Sequence, residues 1–303
     1  MVSFHTYLPN GVRVAKKKRM SRKTRKTTKT GNSRNRLIGI VAACVIVIIV
    51  VLVIFLSGRS PVVTIADPGL ETAMRNALNK PSGDIHAAEL TRLKTLEATH
   101  GGIEDLTGVQ YCTGLEHLLL ENNNLTDISP LAGLTTLIEL GLGSNQISNI
   151  SPLASLVNLE NLSLDSNLVS VVSPLTNLTN LSALTLGSNK LSDISPLAGL
   201  INLTVLYFPS NQISDISPLA GLTNLVAIYL DSNQISDISS LVNLINLRYV
   251  SLTSNQISDV RPLTENTGFS TGDAIYLDEN PLSLDSLNMY IPQLELRGVT
   301  VSH

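Results

Sequence analysis

From residue 115 onward the apolar positions fall into one frame, L-x-x-L-x-L-x-x-N-x-I/L, which returns every twenty-two residues. Asn123, Asn145, Asn167, Asn189, Asn211, Asn233 and Asn255 mark the period. One copy places Leu137, Leu140, Leu142, Asn145 and Ile147 in the frame, and the next places Leu159, Leu162, Leu164, Asn167 and Val169. The L-x-L core alternates, so it predicts a short strand with its leucines on one face. Strands are expected at 117–121 and at each repeat to 249–253. A single copy cannot cover its own apolar face, whereas stacked copies can, which predicts a solenoid with a parallel sheet on its concave side. Each Asn leaves the strand at a turn, where its amide can bond the backbone of its own and the neighbouring coil. A buried amide without partners would cost about 1–3 kcal/mol, so these Asn are read as structural. The copies close with segments such as DISPLAGL. There Pro130, Pro152, Pro174, Pro196, Pro218 and Pro262 predict tight turns or 3-10 segments on the convex side. Ser240 interrupts that series.

The ends depart from the frame, as the ends of a stack must to avoid exposing bare core. Stepping back one period gives Leu93, Leu96, Ala98, Gly101, Ile103, Leu106, Val109 and Cys112, a degenerate first repeat with Gly101 in place of Asn. Cys112 then occupies an apolar slot and reads as a small buried hydrophobe. Before it, Asp67 and Pro68 open a helix expected to run to about Asn79, with Asp suited to the N-cap and Pro to the first turn. At the far end Asn280 follows Asn255 by twenty-five residues, Ile275, Leu277 and Leu282 take core positions, and residues 284–301 are expected to close the stack.

The first sixty residues have a different character. Residues 37–56, LIGIVAACVIVIIVVLVIFL, carry no charge. As a helix rising about 1.5 Å per residue they would span roughly 30 Å, the hydrocarbon thickness of a bilayer. The alternative is a lipoprotein signal ending at Cys44, after Val41, Ala42 and Ala43, but twelve apolar residues follow Cys44 where a polar tether would be expected. Charge sets the orientation. Residues 1–36 hold twelve Lys/Arg and no acid, leaving nine Lys/Arg against twenty-four Asp/Glu for the rest. The net charge of −3 therefore conceals a basic tail and an acidic body. Positive charge stays in the cytoplasm, so the tail is expected inside and the repeats outside. The tail has too little apolar surface to fold alone. Its cations suit anionic lipid headgroups, while the lack of interleaved aromatics argues against nucleic acid. Met20 is an alternative start that keeps a basic flank. The expected organisation is thus a disordered cytoplasmic tail (1–36), a transmembrane helix (37–56), a linker (57–62) and a helical cap (63–92). A degenerate repeat (93–114), seven repeats (115–268) and a last repeat with a C-terminal cap (269–303) follow.

The stretch DPGLETAMRNALNKPSGDI, followed by GGIEDLTGVQYCTGL and copies of SNQISDISPLAGLTNL, resembles the helical cap and leucine-rich repeats of internalin-like bacterial proteins. The resemblance covers about residues 63–300. It implies an α/β solenoid, a curved leucine-rich-repeat stack at the cell surface that binds proteins and has no catalytic activity of its own. The sequence departs from surface internalins in placing its apolar run before the repeats, with no sorting motif after Leu296. That departure counts against a role in host invasion.

Catalytic chemistry is not legible here. The five histidines stand apart in sequence, without an H-E-x-x-H spacing. There is no phosphate-binding glycine loop, and two cysteines cannot make a disulfide framework. No cofactor is expected. The repeated Asp of SDIS reads as local turn bonding. The N-L-S/T triplets at Asn124, Asn161, Asn177, Asn180 and Asn202 are products of the repeat itself.

Binding is legible, because residues flanking the strand leucines face solvent on the concave side. Tyr207, Tyr229 and Tyr276 lie between paired apolar positions, and Tyr249 precedes such a pair beside Ser251. Glu139 and His117 share the position of Tyr249, and Glu121, Asp165, Asp231 and Asp278 follow the pairs. Four tyrosines thus gather on one face in the last four coils. Tyr offers large rigid area with a hydroxyl, and strands also favour aromatics without any ligand. The expected partner-binding residues are Tyr207, Tyr229, Tyr249, Tyr276, Asp231, Asp278, Glu121, Glu139 and Asp165. The expected ligand is an extracellular protein with basic or hydroxyl-rich character, or alternatively a glycan or wall polymer.

Overall fold

In the computed structural model, which describes residues 60–303, ten short strands stack in sequence order into one parallel sheet. β1 is Thr95–Glu97, β2 His117–Leu119, β3 Glu139–Gly141, β4 Asn161–Ser163 and β5 Ala183–Thr185. They continue as β6 Val205–Tyr207, β7 Ala227–Tyr229, β8 Tyr249–Ser251, β9 Ala274–Tyr276 and β10 Thr300–Ser302. The register follows the repeat: Leu118 pairs with Leu140, Leu140 with Leu162, and so on through Leu206, Ile228, Val250 and Ile275. All of these central side chains are buried. Each strand is only three residues long, shorter than the five expected from alternation. The next residue in each copy pairs its N–H with the following coil beyond the regular ladder, as Leu142 does with Ser163.

The core is a column of leucines, with Phe208 its largest fully buried side chain at a position that is Leu in the neighbouring coils. The apolar slots that the frame assigns to the degenerate first repeat are all buried, Cys112 included. Burial pushes the Cys112 thiol up to about 12, which leaves it protonated and inert.

On the return side, 3-10 turns such as Ser129–Leu131, Ser195–Leu197 and Ser217–Gly221 carry Pro in their first turn. The Asp before each turn bonds forward: Asp193 and Asp215 each accept the N–H of the Ser two residues on at 2.8 Å. The Ser195 and Ser217 hydroxyls, then those N–H groups, hold both carboxyls below the usual range. The expected local role of SDIS is therefore observed. In the copy that lacks Pro, the turn Ser239–Leu241 still forms, but the Ser240 hydroxyl is buried without a partner.

Before β1, helix α1 (Pro68–Ala77) packs on that strand and buries Leu70 and Met74. Asp67 caps it, accepting from Gly69 and Leu70 at 2.8 and 3.1 Å, while its other oxygen accepts from Glu104 at 2.9 Å. One carboxylate therefore ties the helix to the first coil. At the other end Arg297 donates to the carbonyls of Thr264 and Asn266 at 2.6 and 3.1 Å. β10 pairs with β9 there, a tenth strand that three residues after Gly298 gave no pattern to predict. The expected tail, the transmembrane helix and the first half of the linker lie outside the described residues. Among the described residues no helix is long and apolar enough to cross a membrane.

Candidate partner-binding face

The ladder of asparagines builds the floor beneath the concave face. In each coil the amide Oδ1 accepts a buried N–H from the preceding coil, as Asn167 does from Ile147 at 2.9 Å. Its Nδ2 donates to Leu142 and Leu164 carbonyls at 2.9 and 3.1 Å. Those carbonyls are shared: Leu142 also accepts from Asn145 and Leu164 from Asn189. A second row runs along the stack through Asn158, Asn180, Asn202, Asn224 and Asn246, each donating to a carbonyl twenty-three residues back. Asn180 and Asn202, which the sequence offers only as incidental triplets, therefore hold coils together.

On this rigid floor the four tyrosines form one continuous strip. Tyr207 and Tyr229 are register partners, and their ring centroids lie 5.2 Å apart. Ser251, not a tyrosine, follows in that row, and Tyr249 leans across to close the gap. Its ring sits 4.7 Å from Tyr229 and 5.2 Å from Tyr276. Ser251 is consequently buried rather than facing solvent. Burial, then hydrogen bonding with Tyr276, raises the Tyr249 phenol to about 12. Tyr207, at the strip's end, is 38% exposed, the others less. Adjacent tilted rings hold one another in place, so their area is offered to a ligand at little further entropic cost.

The acids divide into two kinds. Asp165 accepts from the Thr185 hydroxyl and from Gly187 N at 2.6 Å. Asp231 accepts in the same way from the Ser251 hydroxyl and from Thr253 N at 3.1 Å. Asp278 accepts from the Ser302 hydroxyl at 2.6 and 2.8 Å. These three carboxylates are held by the next coil, which positions them beside the face. Glu121 differs, because the residue one coil on is Gly141, with no hydroxyl to offer. Its carboxylate lies over that glycine, in the space that an added Cβ would take. Its Oε2 is buried and has no hydrogen-bond partner. Glu139 stands nearby, with His117 Nδ1 2.9 Å from its Oε2. A shallow hollow opens here, lined by Glu121, Glu139, Gly141, Asn161, Ser163 and Thr185 among others.

The nine expected residues thus fall into two groups on one face. Tyr207, Tyr229, Tyr249, Tyr276, Asp231 and Asp278 gather on β6–β9, and Glu121, Glu139 and Asp165 on β2–β4. Sequence reasoning did not single out Gly141, whose departure from the row's bulkier residues was the available signal. Among the described residues no group of His, Cys, Asp or Glu is arranged to hold a metal ion.

The family model described as leucine-rich repeats in two copies matches residues 113–155, 157–199, 201–243 and 227–265. Among solved structures, internalin C2 of Listeria monocytogenes is 41% identical, with a TM-score of 0.65 over 67% of this chain and 90% of that one. The functional domain of InlJ from the same species is 24% identical, with a TM-score of 0.55 over 73% of this chain and 52% of that one. The leucine-rich-repeat ectodomain of the plant receptor kinase GASSHO1/SCHENGEN3 from Arabidopsis thaliana, solved with Casparian strip integrity factor 2, is 22% identical. Its TM-score is 0.54 over 65% of this chain and 25% of that one. No curated protein sequence matches the chain.

Proposed function

The chain belongs to the internalin-like bacterial leucine-rich-repeat proteins, and from that premise we propose that it is a membrane-anchored module recognising an extracellular protein. Residues 37–56 serve as the anchor, with the basic tail in the cytoplasm and the repeats outside, a reading supported by the charge asymmetry of the sequence. The helix Pro68–Ala77 caps the stack, keeping the first coil's core from solvent. The concave face is the binding surface, and no catalytic step is assigned to it.

One observation carries the reading: four tyrosine rings on successive coils meet at 4.7–5.2 Å in an unbroken strip. The leucine column beneath is already complete, so the stack does not need these rings for its core. Rigid aromatic strips of this kind supply the dominant contacts of protein interfaces. The test is partner capture by the full-length chain, comparing the parent with the Tyr207→Ala, Tyr229→Ala double variant. Affinity should fall by at least about 2 kcal/mol, roughly thirtyfold, with the melting temperature nearly unchanged. Undiminished binding by the double variant would remove the strip from the interface.

A further inference from the structure

We propose that the hollow over Gly141 receives the cationic head of an arginine or lysine carried by the partner, and that the partner segment is an extended, basic polypeptide. The inference rests on the concave face being the binding surface and names the chemistry of what binds there.

The strongest observation is the contrast among the acids. Asp165, Asp231 and Asp278 each find donors in the next coil. Glu121 lies over a glycine instead, and its buried Oε2 has no donor from the protein. That oxygen is closed to solvent where it lies over Gly141, so turning the carboxylate out to meet a donor from outside the chain gives up no hydrogen bond and gains a charge-assisted one. Glu139 lines the same hollow and brings a second carboxylate, whose Oε2 meets His117 Nδ1 and whose Oε1 has no such partner, while the Ser163 and Thr185 side chains add hydroxyl oxygens. A guanidinium carries five N–H donors and suits several oxygens converging on one place.

The charge of the face agrees. At the strand and strand-exit positions of β2 to β9 there is no Lys or Arg, whereas Glu121, Glu139, Asp165, Asp231 and Asp278 all occur there. A metal ion is a poorer occupant, since among the described residues no cluster offers it three such ligands. Geometry sets the partner's form. Gly141 on β3 and Tyr207 on β6 are three strand spacings apart, about 14 Å. Tyr276 on β9 lies as far again beyond Tyr207. An extended chain covers about 3.3 Å per residue, so a segment of roughly nine residues crosses from the hollow to the end of the strip. The basic side chain then stands near one end of that segment and its apolar or aromatic residues near the other.

The test uses the full-length chain and three synthetic nonapeptides, RGSGAFGAF, its citrulline-for-arginine analogue, and EGSGAFGAF, with binding read by calorimetry at low and at physiological salt. The arginine peptide should bind at least tenfold more tightly than the citrulline peptide, and Glu121→Gln should erase that difference. Gly141→Ala should erase it too, because the new Cβ displaces the Glu121 carboxylate, a flexible side-chain end, without touching backbone. Unchanged melting temperatures would show that both variants fold. Equal affinity for the arginine and citrulline peptides, preference for the glutamate peptide, or an arginine preference surviving both variants would each overturn the proposal. Loss of binding to all peptides in the Tyr207→Ala, Tyr229→Ala variant, with no arginine preference in the parent, would keep the face as a binding surface and reject the cation pocket alone.

Discussion

Truncating Asn167 to alanine removes four hydrogen bonds at once, yet the structure makes them unequal. Its Nδ2 donates to Leu142, Leu164 and Asp165 carbonyls at 2.9, 3.1 and 3.2 Å. The first two keep a donor after the change, because Asn145 still reaches Leu142 and Asn189 still reaches Leu164. Ile147 N–H, whose 2.9 Å bond to Oδ1 is buried, is left with nothing. One orphaned buried donor costs about 1–3 kcal/mol, and the lost carbonyl bonds add about 1 kcal/mol, so Asn167→Ala should destabilise by about 2–4 kcal/mol. Asn167→Asp separates the two halves of the amide. It keeps the acceptor for Ile147 but turns a carboxylate oxygen toward three carbonyls, so at neutral pH it should cost more than alanine. Acidification should narrow its deficit, since the protonated acid can donate. Urea unfolding gives the magnitudes, and amide exchange at Ile147 gives the location, which matters because a stack of repeats can open locally. An alanine variant within about 0.5 kcal/mol of the parent would refute the shared-ladder argument. So would an Ile147 amide protected as before, or an aspartate variant milder than alanine at pH 7.

Two further substitutions test the ends of the argument. Ser240→Pro should stabilise by about 0.4–1 kcal/mol in urea unfolding, because it restores the proline of the other copies and removes a partnerless buried hydroxyl; destabilisation would mean that the turn around Ser240 differs from its neighbours. Asp67→Ala should cost about 0.5–2 kcal/mol at pH 7 through loss of the helix cap. Burial raises the Asp67 carboxyl, but backbone N–H bonds led by Glu104 outweigh it and leave it below the usual range. A depressed carboxyl stabilises fully above its unfolded pKa of about 3.9 and loses that contribution as pH falls through the folded value. The gap between parent and variant should therefore shrink below about pH 4, and a gap that widens on acidification would contradict the assignment.

The frame of the stack was legible because seven copies repeat one pattern, and repetition leaves a single register in which the apolar residues of the frame point inward. Cys112 could be placed in the core from that frame alone, as could the apolar slots of the degenerate coil. The tyrosines could be assigned to a face for the same reason. What they form there was not legible. Tyr249 and Tyr229 occupy different rows, and only the short lateral distance between coils lets one ring bridge the gap left by Ser251.

The backbone holds a similar lesson. The residue before each ladder asparagine is left-handed, with φ near 56° at Ser144 and Ser210, although serine has no intrinsic preference for that region. Its N–H must meet a carbonyl of the next coil, as Ser144 meets Asp165 at 2.7 Å, and the stack imposes the conformation to satisfy it. Glu121 shows the same logic in a side chain. In sequence it matches Asp165 and Asp231, and only its neighbour one coil away, a glycine without a hydroxyl, leaves its oxygen unpaired. The sequence by itself determined the period, the buried rows and the face on which each side chain emerges, because these follow from spacing along the chain. Whether a polar atom on that face is satisfied depends on residues twenty or more positions away, and that was decided only when the coils stacked.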